Sequence, residues 1–332
     1  MLRTLDRTIQ LTRFGDADCL KVVDVPLPEP GPGEVRVRVL ASSLNYTDVL
    51  IRKHLYPQTA TRHVPFVMGY DVVGEIDRLG EGVVGFRVGN RVADMTVTGS
   101  NADYRILRSD DLTLVPPEVD PAEAATLILS WTTAYQMLHR SARVQRGQRI
   151  LIHGAAGAVG QAQIQLGKLA DFEMWGGANG RHSSLVRELG ATPIDYEQED
   201  FTRAVPGGFD VVGEGGYRRS FAALKPGGLL VAIGYSAGVQ AKQGMTKTLA
   251  LIARMYLWGL LPGGKRTLFY SINVMRARHP DWFKHDLGQL MVLLEEGRIK
   301  PQVAERISFA GVSDAHRRLE AGGLEGKLVL VP

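Results

Sequence analysis

Residues 147–160 read Gly-Gln-Arg-Ile-Leu-Ile-His-Gly-Ala-Ala-Gly-Ala-Val-Gly, a β-favouring run from Arg149 to His153 that opens straight into small residues and a helix start. Within this one β-α unit the spacing Ala155-x-Gly157-x-x-Gly160 is that of a dinucleotide-binding turn. Small residues permit the tight reversal and let backbone N–H groups approach a pyrophosphate, while Gly160 lets the helix pack closely on its strand. A side chain at Gly157 would stand where the phosphate goes. The same spacing occurs in strand-to-helix turns that hold no ligand, so the rest of the chain has to decide between the two.

Outward from this turn the pattern is consistent. Downstream, strands fit Phe172 to Trp175, Phe209 to Val212 and Leu229 to Ile233, with a helix from Ser183 to Leu189 ended by Gly190. A β-α-β-α order predicts a parallel sheet wrapped by helices. Upstream, a helix-rich stretch starts at Pro121, after Pro116-Pro117, and everything from Thr8 to Val115 reads as short strands and turns. Val35 to Leu40 alternates with period two behind Pro26, Pro28, Pro30 and Pro32, and Gly69, Gly74, Gly80, Gly82, Gly85 and Gly89 punctuate β-branched segments. A compact, barrel-like β domain is the expectation. Beyond Pro262-Gly263-Gly264 come one strong helix, Trp282 to Glu296, and a final strand, Lys327 to Val331.

Composition narrows the classes. A chain of 332 residues with 45% apolar and 22% charged side chains has room for two ordinary globular domains. A net charge of +4 carried by scattered basic residues supports neither a nucleic-acid nor a membrane partner. The single cysteine, Cys19, excludes an internal disulfide and a cysteine-rich zinc lobe, and the eight histidines give no HxxxH or HExxH spacing. The N-terminal residues alternate charge and apolarity too quickly for a secretory signal, and Leu249 to Leu261 is broken by Arg254 and Gly259. A cytoplasmic location is expected.

Gly147, Gln148, Leu151, Ala155, Ala156, Gly157, Gly160, Gln165 and Lys168 together resemble the signature of the zinc-free quinone oxidoreductase and zeta-crystallin family of medium-chain dehydrogenases and reductases. Ala158 departs from it, standing where the family usually has glycine. Asn45-Tyr-Thr-Asp48, Ile51-Arg52, Leu55-Tyr56-Pro57, Gly69-Tyr-Asp-Val-Val-Gly74 and the run Phe221 to Val231 look like successive blocks of the same family. The resemblance implies an α/β architecture: an N-terminal chaperonin-10-like β-barrel (1–121), a Rossmann doubly wound parallel sheet (122–262) and a C-terminal return to the first domain (263–332). It implies NADPH-dependent hydride transfer to a small quinone or conjugated enone, in a homodimer. Two other readings stay open, an enoyl-thioester reductase and a non-catalytic, crystallin-like NADPH-binding protein.

Ala156, Gly157, Ala158, Val159 and Gly160 would cradle the pyrophosphate. An NAD-selective fold carries an acid at the end of its second strand, where it reads the ribose 2′-OH. Residues 175–182, Trp-Gly-Gly-Ala-Asn-Gly-Arg-His, contain none. Arg181, beside His182 and with small Gly177 and Ala178 leaving room, is suited to pair a 2′-phosphate, or else covers a solvated helix start. Tyr196 matches a family position near the adenine end, with ordinary half-buried packing as its other reading. Thr133 matches a place beside the nicotinamide, with helix capping as its other reading. Gly234, Tyr235 and Ser236 follow a strand at the carboxyl edge of the sheet, while Phe269, Ser271 and Lys327 match segments that approach the cofactor from the returning chain.

Zinc-dependent relatives of this fold hold their catalytic metal with two cysteines and a histidine. The corresponding places here hold Tyr46, Tyr70 and a residue of Leu129-Ser130, so no metal site is expected. Hydride must then go to a carbon already electrophilic by conjugation, with hydrogen-bond donors for the developing oxyanion. Tyr56 and Asn45, at family positions beside the substrate, are the candidates, Tyr56 as proton donor or as a plain aromatic wall. Leu50 stands where relatives often carry a second tyrosine. The stretch from Val212 to Tyr217 is about four residues shorter than the family habitually shows.

Overall fold

The computed structural model describes residues 4–213, 216–233, 253–259 and 263–332. They form two compact units, residues 1–129 with 280–332 and residues 130–279. The first contains strands β1 (Leu5–Leu11), β2 (Leu20–Pro26) and β3 (Glu34–Ser43), helix α1 (Tyr46–Arg52), strands β4 (Phe66–Val67), β5 (Asp71–Leu79), β6 (Arg91–Met95), β7 (Tyr104–Arg108) and β8 (Thr113–Leu114), and helix α2 (Pro121–Thr126). The second runs through α3 (Thr132–Tyr135), β9 (Arg149–His153), α4 (Ala158–Leu169), β10 (Glu173–Ala178), α5 (Ser183–Leu189), β11 (Thr192–Asp195), β12 (Phe209–Val212), α6 (Tyr217–Ala223) and β13 (Leu224–Ile233). It then continues through helix α7 (253–258), β14 (Arg266–Tyr270) and α8 (Ile272–Arg278). The chain completes the first unit with α9 (Pro280–Glu295), β15 (Val303–Ile307), α10 (Val312–Ala321) and β16 (Lys327–Leu330).

The first unit is built on two sheets, β2-β1-β4 and a seven-stranded one ordered β15-β16-β3-β5-β6-β8 with β7 also paired to β3. The period-two reading of β3 is visible in its side chains. Val35, Val37 and Val39 enter a core with Val72, Ile76, Val92, Leu107 and Leu112, each such side chain worth roughly 1.5–3 kcal/mol on burial. Arg36 between them is satisfied by Asp77 at 2.9 Å and by Glu29 at 3.0 Å. Strand β16, from the far end of the chain, lies antiparallel to β3 with Val329 opposite Ser43. That register sets Lys327 near the start of α1.

The second unit is a six-stranded, all-parallel sheet in the order β11-β10-β9-β12-β13-β14. Numbered within the unit this is 3-2-1-4-5-6, the doubly wound order whose reversal lies beside the first strand, here β9. Gly190 closes α5 at φ 114°, the left-handed cap that glycine adopts without cost. The core gathers Leu151, Phe209, Val212, Leu230 and Met255, with Trp175, Tyr217, Phe221 and Phe269 packed against it.

One boundary differs from the sequence reading. A return at residue 263 would put Phe269 and Ser271 on the homeward chain. Instead β14 pairs parallel with β13, Ala232 opposite Phe269, so Phe269 is a strand residue of the second unit and the return begins at Pro280. A five-residue run with one turn-rich flank carries no signal that it will close a distant sheet.

Candidate functional site

Strand β9 delivers His153 to the turn, and the next residue, Gly154, takes φ 62°. This left-handed residue, absent from the spacing read in the sequence, makes the reversal possible. Gly157 N–H bonds back to Gly154 O at 2.9 Å and Gln161 Nε2 reaches Ala156 O at 2.7 Å, fixing the loop. A Cβ on Gly160 would run into Gly154 O and lie 2.7 Å from Ala155 Cα, so glycine is required there by packing. A Cβ on Gly157 would meet only Gly154 O, at 3.2 Å, and one on Gly154 would meet nothing.

Helix α4 starts at this point with Gly157 as its N-cap, no side chain capping it and no acid in its first turn. The first amides of a helix have no partner within it. Those of Ala158, Val159 and Gly160 are therefore offered, with the positive end of the helix dipole, to an anion from outside. The turn fits a pyrophosphate.

At the end of β10, Asn179 caps a short turn, accepting from Arg181 N at 3.2 Å and giving Nδ2 to Glu197 Oε1 at 2.7 Å. Arg181 is exposed and its Nε donates to His182 Nε2 at 2.9 Å. Asp195, the last residue of β11, sets its carboxylate where a Cβ on Gly180 would fall. Tyr196 is 54% exposed. Small size is demanded at Gly176, where a Cβ would stand 2.6 Å from Val186 Cγ1, rather than at Gly177, where the nearest atom is His153 Nδ1 at 3.4 Å. His153 lies edge-on to Phe201 and 3.2 Å from Ser220 Oγ, and burial, with Arg219 nearby, lowers its pKa to about 4.

Thr133 is buried on α3, and one turn on Gln136 accepts from Tyr270 OH at 2.8 Å. Gly234, Tyr235 and Ser236 lie outside the described residues.

In the first unit three segments, residues 43–48, Asp71 and Lys327, converge at the start of α1. Asn45, its N-cap, gives its backbone N–H to Asp48 Oδ2 at 2.8 Å and its Nδ2 hydrogens to Ser43 O at 2.9 Å and Asp71 Oδ2 at 3.0 Å. Its Oδ1 accepts from Lys327 Nζ. Asp71 also accepts from Ser43 N and Oγ, both at 2.6 Å. Both hydrogens of the Asn45 amide are thus engaged within the protein, which leaves it positioning its neighbours rather than donating outward.

Two buried carboxylates share one ammonium here. Burial raises Asp48 to about 7, and its Oδ1 has no hydrogen-bond partner among the described residues, as a protonated carboxyl tolerates better than a charged one. Burial also raises Asp71, against the pull of Lys327, and lowers Lys327, against the pull of both acids.

Tyr56 and Tyr70 meet in the same unit. Their hydroxyls are 2.6 Å apart and their rings pack edge to face at 5.9 Å. Tyr70 is fully buried and Tyr56 is 6% exposed. Among the described residues no group of three or more His, Cys, Asp or Glu is arranged to hold a metal ion, and no helix is long and apolar enough to cross a membrane.

A family described as alcohol dehydrogenase GroES-like domain matches residues 31–117, and one described as zinc-binding dehydrogenase matches residues 189–330. A chloroplastic quinone oxidoreductase, QR1, of Triphysaria versicolor is 30% identical over the whole of both chains. The chain belongs to the quinone oxidoreductase family of the medium-chain dehydrogenases and reductases. The synaptic vesicle membrane protein VAT-1 of Tetronarce californica, 31% identical over 94% of this chain and 84% of its own, is a relative too. The solved structure of mycobacterial Rv1454c complexed with NADPH superposes with a TM-score of 0.83 at 26% identity, covering 98% of this chain and 100% of that one. Quinone oxidoreductase family members bind a nicotinamide cofactor, and this one is an oxidoreductase.

Proposed function

We propose that this protein reduces small quinones or conjugated enones with NADPH and without a metal ion. The observation that carries the reading is the turn from Gly154 to Gly160, whose first helical amides face outward with neither a capping side chain nor an acid to use them. The solved relative that holds NADPH supports the choice of cofactor. So does Arg181, an exposed guanidinium at the end of the second strand of the sheet, suited to a 2′-phosphate. Asp195 and Glu197 stand close by, and their charge keeps the preference for NADPH over NADH moderate.

When bound, the cofactor supplies a hydride. The turn would hold its pyrophosphate, with Thr133, Gly177, Tyr196, Phe269, Ser271 and the segment Gly234 to Ser236 as further contacts. Tyr56 would donate a hydrogen bond, then a proton, to the acceptor's oxygen as negative charge collects there. Asn45, tied to Asp71 and Lys327, would hold the start of α1 in place behind it. The metal-free part of the reading is supported by Tyr46, Tyr70 and Leu129-Ser130, which offer neither thiolate nor imidazole. A cytoplasmic homodimer is the setting we expect.

Calorimetry with NADPH and NADH, paired with steady-state NADPH oxidation against a quinone, an enone and an acyl thioester and with metal analysis of the active protein, tests this. Turnover of quinone or enone by metal-free protein is the expected result. Turnover confined to the thioester would point to enoyl-thioester reduction, tight NADPH binding without turnover to a binding protein, and stoichiometric zinc needed for activity would end the metal-free reading.

A further inference from the structure

Two guanidiniums of the first unit lie near enough to feel each other's charge, and neither is paired. Arg105 leaves β7 opposite Val37, and a Cβ on Gly99 would stand 2.6 Å from its Cζ and 2.7 and 2.8 Å from its two terminal nitrogens. Such even spacing puts Gly99 beneath the face of the guanidinium rather than at its edge. Arg62 is exposed and holds its Cζ 5.2 Å from the centre of the Phe66 ring. Among the described residues neither guanidinium has an ion-pair partner or a hydrogen-bond acceptor, and Arg105 Nε is buried without one.

We infer that Arg105, with Arg62 beside it, binds an oxyanion, a carboxylate or a phosphate, carried by the acceptor that the protein reduces. The inference rests on the reading of the chain as a quinone or enone reductase and narrows its substrate to an acidic one.

A guanidinium donates in its own plane through five N–H groups, and taking any of them out of water without an acceptor is costly. Burial lowers the Arg105 pKa, Asp94 pulls it up, Arg62 lowers it further and Glu34 raises it. Neither acid pairs with it. Asp94 Oδ1 accepts from Met95 N at 2.7 Å, and Glu34 Oε2 accepts from Gly31 N at 2.9 Å. A bidentate oxyanion satisfies the edge that Gly99 leaves open and neutralises two like charges at once.

The floor of the site is held under strain. Val97, a β-branched residue, takes φ 66°, in the left-handed region that is costly for it. Its N–H and that of Thr96 bond to Tyr70 O at 3.0 and 2.9 Å, and Gly99 N bonds to Met68 O at 3.1 Å. Gly99 itself takes φ 103°, so any side chain there would meet both a strained backbone and the guanidinium. Strain of this kind gathers at ligand clamps, and here it lays a flat stretch of backbone under Arg105.

The site lies along the segments that carry the two tyrosines. From Tyr56, Thr59 N bonds to Tyr56 O at 3.1 Å and Arg62 N to Thr59 O at 3.0 Å, two successive turns. Each such turn keeps its end Cα atoms within about 7 Å, so those of Tyr56 and Arg62 are within about 14 Å of each other. The Arg62 side chain and the body of a small acceptor span that distance, so one end of the acceptor is anchored while its conjugated end stays by Tyr56.

Two measurements test this. In cofactor-free protein, heteronuclear NMR follows the Gly99 amide as inorganic phosphate or acetate is added. A saturable shift in the wild type, lost in Arg105→Met, is expected, and the tighter of the two anions tells phosphate from carboxylate. With NADPH, kcat/KM is compared for acetylacrylate and its methyl ester, and for crotonyl-coenzyme A and crotonyl-pantetheine, which lacks the phosphates. For one pair the ratio of charged to neutral acceptor should fall about 10-fold or more in Arg105→Met, and less in Arg105→Lys, which keeps the charge without the fork. Ratios that stay at their wild-type values overturn the inference, since an arginine that only supports the fold lowers both members of a pair alike. A Gly99 amide that neither anion moves overturns it too. Should Arg105→Met fail to fold, Arg62→Glu, at an exposed position, must lower the same ratio by about 3-fold, and an unchanged ratio overturns the inference equally. Wild-type protein that reduces none of these acceptors and no quinone sinks the reductase reading, while the anion titration still decides whether the site exists.

Discussion

The turn at Gly154 to Gly160 and the cluster around Asn45 are built in opposite ways. The turn works through backbone and through what is missing: a left-handed Gly154, no Cβ at Gly157 or Gly160, no side chain capping α4. The cluster works through side chains drawn from positions 43, 45, 48, 71 and 327, tied together by hydrogen bonds and by one ammonium between two acids. A backbone site is fragile to added bulk. A charged side-chain site is fragile to any single loss, and the difference should show when each is broken.

The largest effect is expected at Lys327. Lys327→Met leaves Asp48 and Asp71 buried without their counter-charge, which typically costs about 3–5 kcal/mol, and urea unfolding should show it; adding Asp71→Asn should recover much of the loss. Gly160→Ala attacks the turn instead. Its methyl meets Gly154 O and Ala155 Cα, and NADPH affinity measured by calorimetry should fall about 100-fold, equal to about 2.8 kcal/mol, with the first unit's stability untouched.

The first unit also holds a buried histidine and the second a half-buried one, which gives a graded test. Burial, with Arg52 near one and Arg219 near the other, lowers His316 to about 3 and His153 to about 4. A neutral imidazole so placed stabilises the fold fully above its unfolded pKa of 6.5, and that contribution drains away as pH falls toward the folded value. Asp48 runs the other way: held at about 7 against an ordinary 3.8, it favours the fold at low pH and loses that advantage as pH rises between the two. Stability below pH 6.5 should therefore fall by up to about 1.4 kcal/mol per pH unit for each histidine, His316→Leu should remove one such slope, and Asp48→Asn should steepen the net decline. Denaturant midpoints across pH check all three.

At the ribose end the effects should be smaller. Arg181→Ala is expected to weaken NADPH about 10-fold, close to 1.4 kcal/mol, and to leave NADH unchanged. Asp195→Asn should tighten NADPH about 3-fold by removing a like charge from a partly screened site. Cofactor titrations that showed equal losses for both nucleotides in Arg181→Ala would assign the guanidinium to fold rather than to selectivity.

What was legible in the sequence divides along the same line. The parallel sheet, α5 with its Gly190 cap and the turn could be read because periodicity, β-favouring runs and glycine spacing are local signals. Gly154 was missed because its φ leaves no trace beyond being one more glycine. The pairing of Tyr56 with Tyr70, the engagement of the whole Asn45 amide and the placing of the Asp195 carboxylate against Gly180 are contacts across separate segments, and no spacing announces them. Phe269 was assigned to the homeward chain for the same reason, since membership of β14 depends on β13 being beside it.

The register of β16 has a consequence for how the protein is made. Lys327 follows Asp71 only after the second unit, which interrupts the first between residues 129 and 280. On the ribosome Asp48 and Asp71 emerge long before Lys327, the ammonium that lies between them in the fold. The first unit can therefore complete its charged centre only after the whole second unit has been made, whereas that inserted unit, contiguous in sequence, is free to fold as it emerges.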